Sequence, residues 1–161
     1  MLHFAAHGYV DRQQPQKTGI ALAFGEGGLD QGYFTIADAL ELDLDANLVV
    51  LSACDTATGK ARAGEGVESM ARAFVYAGAR GVVASLWQVS DWAAAETMRP
   101  FYREALRPGG LSPSDALRQA KLGLRNSGRV RGVGVQEGAQ GSTAESGHPF
   151  FWAPFVLAGG G

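Results

Sequence analysis

Apolar residues gather in short blocks along the chain, and polar or turn-forming residues separate them. Four blocks predict buried strands: Leu2–His7, Leu48–Cys54, Gly81–Trp87 and Phe150–Ala158. Each is nearly continuous in Val, Leu, Phe and Ala rather than alternating, the pattern of a parallel sheet covered on both faces. A weaker strand is expected over Ile20–Phe24, turning at Gly25-Glu26-Gly27-Gly28.

Helical spacing fills the intervals. Thr35 is placed to cap a short helix, Ile36–Leu42. Over Glu65–Ala77, the residues Val67, Met70, Ala71, Phe74 and Val75 fall on one face, and Gly78 is placed to stop the helix. Asp91–Leu106 predicts a third helix, with Asp91 as its N-cap and a kink or break at Pro100. Ser112-Pro113 opens a fourth, Ser114–Arg125, as a cap followed by proline at the first helical position. From Asn126 to Gly147 the periodicity gives way to Gly, Ser and Gln, which predicts a flexible loop. Strands alternating with helices predict an α/β fold, a three-layer α/β/α sandwich with a mostly parallel sheet, in one domain over residues 1–161.

Composition narrows the classes. The length suffices for one core, and 23 glycines point to close backbone approach between layers. Sixteen acidic against fourteen basic residues leave a net charge of −2. No cationic run could track a phosphate backbone, so nucleic acid is not an expected partner. The apolar blocks are far shorter than the ~20 residues of a membrane span. The start, Met1-Leu2-His3-Phe4, lacks the basic region of a signal peptide. The single cysteine, Cys54, excludes an internal disulfide framework and any multi-cysteine metal site. A soluble, cytoplasmic protein is the expectation, with no membrane partner.

Chemistry concentrates at two strand ends, His7-Gly8 and Ser52-Ala53-Cys54-Asp55-Thr56. Open α/β sheets place their sites at the carboxyl ends of strands. Parallel neighbours run roughly 5 Å apart, close enough for side chains at their ends to meet. An imidazole beside a thiol supplies a base and favours the nucleophilic thiolate. The amides of Gly8 and Cys54 are then candidates for an oxyanion hole. Each residue alone has a plainer explanation: a buried small hydrophobe for Cys54, a turn for His7-Gly8.

The string Leu51-Ser52-Ala53-Cys54-Asp55-Thr56-Ala57-Thr58-Gly59 resembles the cysteine motif of the CHAT domain, a caspase-like family often found beside TPR repeats. Gly64-Glu65-Gly66-Val67, Ala73-Phe74 and Ala77-Gly78-Ala79 fit the same pattern. So do Ser85-Leu86-Trp87-Gln88-Val89-Ser90-Asp91 and His148-Pro149-Phe150-Phe151-Trp152-Ala153-Pro154-Phe155. The resemblance covers nearly the whole chain. It implies a caspase-like fold and a cysteine endopeptidase that cleaves protein or peptide substrates without a cofactor. His7 would be the general base, Cys54 the nucleophile, and Gly8 with the Cys54 amide the oxyanion donors. In separase, a related family, a similar Leu-Trp-x-Val-x-Asp string carries the aspartate of a pocket for a basic side chain. Asp91 matches it, which implies preference for Arg or Lys before the scissile bond. Asp55 and Trp87 are further candidates for substrate contact, with a local turn and core packing as their respective alternatives. TPR repeats on a longer chain are an implied regulatory partner.

The family's domain carries at least one strand and helix before its histidine, which here is the seventh residue. The domain is therefore expected to be truncated at its N-terminus and to lack its first strand or strands. Leu2–His7 would then be an apolar edge strand with no earlier strand to pair with. The competing class of function is a catalytically silent caspase-like interaction or regulatory domain, with Cys54 simply buried.

Other chemistries fit less well. Cys54-Asp55-Thr56-Ala57-Thr58-Gly59-Lys60 approaches a phosphate-binding loop, but its first glycine is a cysteine and Ala61 replaces the magnesium-binding hydroxyl. No G-x-S-x-G elbow is present. His3 and His7 are four apart on a strand, about 13 Å, too far to share a metal.

Overall fold

The computed structural model describes residues 1–11, 13–22, 32–52, 54–55, 65–127 and 148–160, with backbone alone at 54–55 and 65–67. The fold is mixed α/β and divides into two compact units, Met1–Gln88 with Phe155–Gly161, and Val89–Pro154.

Among the described residues the first unit holds two four-stranded ladders. One has the order β1 (Leu2–Phe4), β5 (Val49–Leu51), β7 (Gly81–Ser85), β8 (Phe155–Gly159). β1, β5 and β7 run parallel, and β8 is antiparallel to β7. The other has the order β4 (Tyr33–Thr35), β3 (Gly19–Ala21), β2 (His7–Tyr9), β6 (Cys54–Asp55). There β2 and β6 are parallel, while β3 and β4 are antiparallel additions. The expected strand Leu2–His7 is thus divided into β1 and β2, and Leu48–Cys54 into β5 and β6.

The edge expected along Leu2–His7 is found for only part of that segment. β1 ends its ladder among the described residues, but β2 has β3 on its far side, with His7 opposite Ala21 and Gly8 opposite Ile20. A strand later in the chain covers the histidine segment, turned back through a hairpin. Asp11 stabilises that return: its carboxylate accepts from the amides of Gln13 and Gln14 at 2.9 Å, and its own amide donates to Thr18 Oγ1 at 3.1 Å.

Helix α1 (Ile36–Leu40) begins at a capping box, in which Thr35 and Asp38 satisfy each other's backbone amides. Helix α2 (Glu65–Tyr76) buries Met70, Ala71, Ala73 and Phe74 against Val49, Leu51, Val82 and Ala84 of the sheet. Three rings, Phe4, Phe34 and Phe74, meet with centroids 5.4 to 5.8 Å apart and tie β1, β4 and α2 together. Val50 and Val83, facing the other way by strand alternation, are also fully buried. Val75 was expected on the apolar face of α2 but is 38% exposed, because the buried arc is narrower than the sequence spacing allows.

α2 ends in a Schellman motif. Ala79 N donates to Phe74 O, Gly78 N donates to Val75 O, and Gly78 has φ +105°. A Cβ at Gly78 would collide with the carbonyl oxygen of Leu44, so both the turn and the close approach require glycine.

The described residues of the second unit are mainly helical. α3 (Asp91–Ala105) buries Ala93, Thr97, Met98 and Phe101, and α4 (Pro113–Asn126) buries Ala116, Leu117, Ala120 and Leu124. α4 begins as expected, with Ser112 as cap and Pro113 in the first turn. α3 differs from expectation at its start. Its N-cap is Ser90, whose hydroxyl accepts from Ala93 N, and Asp91 is the first helical residue. It also runs through Pro100 without a break. Burial of residues on both sides of the proline holds the helix where one backbone bond is lost.

Phe150–Ala158, expected to be one strand, is a short helix α5 (Pro149–Trp152) followed by β8. His148 caps the helix through Nδ1, which accepts from Phe150 N at 3.2 Å, and Pro149 supplies its first turn. Most of the expected loop 126–147 lies outside the described residues; Asn126 itself closes α4.

Candidate functional site

The site is assembled by register. Along β1 and β5 the partners are Leu2 with Val49, His3 with Val50 and Phe4 with Leu51. Ser52 N then donates to Phe4 O at 2.9 Å, and the pairing resumes in β2 and β6 as His7 with Cys54 and Gly8 with Asp55. One offset governs both stretches. His7 and Cys54 therefore lie directly across a parallel ladder, as the first residues of β2 and β6.

His7 is exposed, and strand alternation turns it away from the apolar cluster that takes Phe4 and Ala6. Gly8 is half-buried and lies in the ladder between Ile20 and Asp55. An oxyanion role for its amide therefore has to share that position with strand pairing. Asp55 closes β6. Residues 56–64, which follow, lie outside the described residues.

β7 adds a further strand end beside β5, in the other ladder. It pairs with β5 as Val49 with Val82, Val50 with Val83 and Leu51 with Ala84. Beyond Ser85 the chain turns, and the half-buried Trp87 follows. The Ser85 hydroxyl, 1% exposed, donates to the Trp87 carbonyl oxygen at 2.7 Å. Sequence reasoning singled out Trp87 and missed Ser85; a hydroxyl closing an apolar strand was the available signal.

Asp91 belongs to the second unit and is exposed in the first turn of α3. Because Ser90 performs the capping, the carboxylate of Asp91 is not used for it. In the first unit, His3 is exposed over much of its surface, yet desolvation of its ring lowers its pKa from the ordinary 6.5. Among the described residues no group of three or more His, Cys, Asp or Glu could hold a metal ion, and no helix is long and apolar enough to cross a membrane.

A mixed α/β protein with a histidine and a cysteine across a parallel ladder agrees with the caspase-like architecture. The CHAT domain family model matches residues 1–160, and the chain belongs to that family. It is 36% identical over 131 residues to the Homo sapiens protein named Tetratricopeptide repeat protein 28, covering 81% of this chain. It is also 36% identical over 125 residues to the Mus musculus protein of the same name, covering 78%. The chain spans about 4% of the length of these relatives.

Proposed function

We propose that this chain is a cysteine endopeptidase domain acting through His7 and Cys54 on protein or peptide substrates. The observation that carries the reading is their register pairing across a parallel ladder. His7 accepts the thiol proton, and the Cys54 thiolate attacks the scissile carbonyl carbon, forming a C–S bond. Amides at Gly8 and Cys54 receive the oxyanion. The imidazolium then protonates the leaving amine as the C–N bond breaks, leaving a thioester. Water, deprotonated by His7, attacks the thioester, and the C–S bond breaks to restore the thiol.

Preference for Arg or Lys before the cleaved bond is assigned to Asp91, whose carboxylate is exposed rather than spent on the helix cap. Trp87 and Asp55 are assigned to substrate contact. A cytoplasmic setting is part of the proposal, as is a longer chain with TPR repeats, which the names of the two relatives support.

The test is the alkylation rate of Cys54 by iodoacetamide against pH, in the unaltered chain and in His7→Ala, read by mass spectrometry on the single thiol. The expected result is a reactive thiolate persisting well below the ordinary pKa of ~8.5 and lost in His7→Ala. A slow thiol indifferent to His7 overturns the reading in favour of a silent interaction domain.

A further inference from the structure

Cys54, His7, Ala21 and Tyr33 are successive register partners across β6, β2, β3 and β4, so they stand at one level of the ladder. Two residues along, Tyr9, Gly19 and Thr35 form the next level on the same side. Directly opposite residues share a face, which puts Tyr9, Tyr33 and Thr35 on the face of His7. Ile20 and Phe34 take the other face and pack into the apolar cluster. Tyr33 is 43% exposed and Tyr9 half-buried, and their rings meet edge to face with centroids 4.8 Å apart. Their strands are two spacings apart, roughly 10 Å. The rings meet because β3 contributes only Gly19 and Ala21 on that side. A Cβ at Gly19 would also collide with the Phe34 carbonyl oxygen, so β4 approaches β3 closely there.

The surroundings of the two rings are acidic. The Asp38 carboxylate accepts from both the amide and the hydroxyl of Thr35 at 2.7 Å, which brings a negative charge to the level of Tyr9. The Tyr9 phenol is held above its ordinary 10.0 by burial first, then by Tyr33, Asp38 and Asp11, so both carboxylates bear on it. Aromatic rings beside carboxylates suit a cation rather than an anion. In the peptidase mechanism the acyl half stays on Cys54 while His7 protonates the departing amine. Tyr33 stands beyond His7 from Cys54, hence along the departing half.

We propose that Tyr9 and Tyr33 form a subsite for an arginine or lysine side chain on the leaving side of the cleaved bond. This rests on the peptidase reading and deepens it. The roughly 10 Å from β2 to β4 is the length of about three extended residues, so the cation belongs within the first three after the bond.

The experiment uses peptides with arginine before the bond and one test residue at the first, second or third position after it. The test residue is arginine or norleucine, an apolar chain, and the readout is the ratio of their kcat/KM values. In the unaltered chain arginine should be favoured about tenfold at one of these positions. Tyr33→Leu should bring that ratio close to one, and Tyr33→Phe, which keeps the aromatic face, should preserve it. No preference at any of the three positions overturns the proposal. A ratio that survives Tyr33→Leu does so too, including an equal fall for both peptides, which marks a merely structural role. A second measurement stands apart from catalysis: the ring NMR signals of Tyr9 and Tyr33 in Cys54→Ala, titrated with N-acetylarginine amide or N-acetylnorleucine amide. Shifts with the arginine compound alone support the subsite; no shifts, or equal shifts with both, overturn it. Absence of a His7-dependent thiolate in the unaltered chain is the failure of the peptidase reading instead, and the titration then decides whether the tyrosine pair takes a cation.

Discussion

His7 and Cys54 are register partners on parallel segments, and the offset that pairs them is the one that pairs Leu2 with Val49. The position of the histidine is therefore inherited from the packing of β1. Phe4 fixes that packing through its contacts with Phe34 and Phe74.

Phe74 is fully buried at the centre of this ring cluster. Phe74→Ala should cost about 3–5 kcal/mol, since the cavity opens between helix and sheet where neither can close on it. Denaturant unfolding measures the loss. A change below about 1 kcal/mol would mean that the cluster does not hold the first unit together.

Gly78→Ala should destabilise by about 1–2 kcal/mol for the left-handed backbone alone, and by more for the collision with Leu44 O. Leu44 N also donates to Ala77 O at 2.7 Å, so relief by backbone shift disturbs a second bond. Thermal denaturation of the variant checks it.

Ser90→Ala and Asp91→Asn separate stability from recognition at neighbouring positions. Loss of the Ser90 cap should cost about 1 kcal/mol without altering substrate preference. Asp91→Asn should leave the melting temperature nearly unchanged and abolish preference for arginine over a neutral residue at the end of a peptidyl chloromethyl ketone. Equal labelling preference before and after Asp91→Asn would remove it from substrate recognition.

The lowered pKa of His3 gives stability a definite pH sign. The native state favours the neutral ring, so the unfolded chain binds more protons below 6.5. The contribution is complete above the unfolded value of 6.5 and is lost as pH falls through the lower native value. Melting temperatures between pH 7.5 and 5 should fall slightly more steeply for the unaltered chain than for His3→Gln, and a reversed difference would refute the sign.

The pairing of two chemical strand ends was legible because both lie at the close of unbroken apolar blocks, a signal that survives without tertiary information. Three-residue strands carry no such signal. Tyr33–Thr35 exposes Tyr33 and half-buries its neighbours, and only its partner β3 makes it a strand. The block from Phe150 was misread because apolar continuity does not distinguish strand from buried helix; the His148 cap and Pro149 decided for helix. Asp91 and Ser90 are both good capping residues, and the choice between them is made by backbone angles, since Ser90 is extended.

The common offset along β1–β5 and β2–β6 also governs how this molecule can fail. A slip of one residue between the two segments would turn Phe4 out of its ring cluster and part His7 from Cys54 in the same movement. The apolar contact at Phe4 and the juxtaposition of His7 with Cys54 would thus be lost together, because a single register secures both.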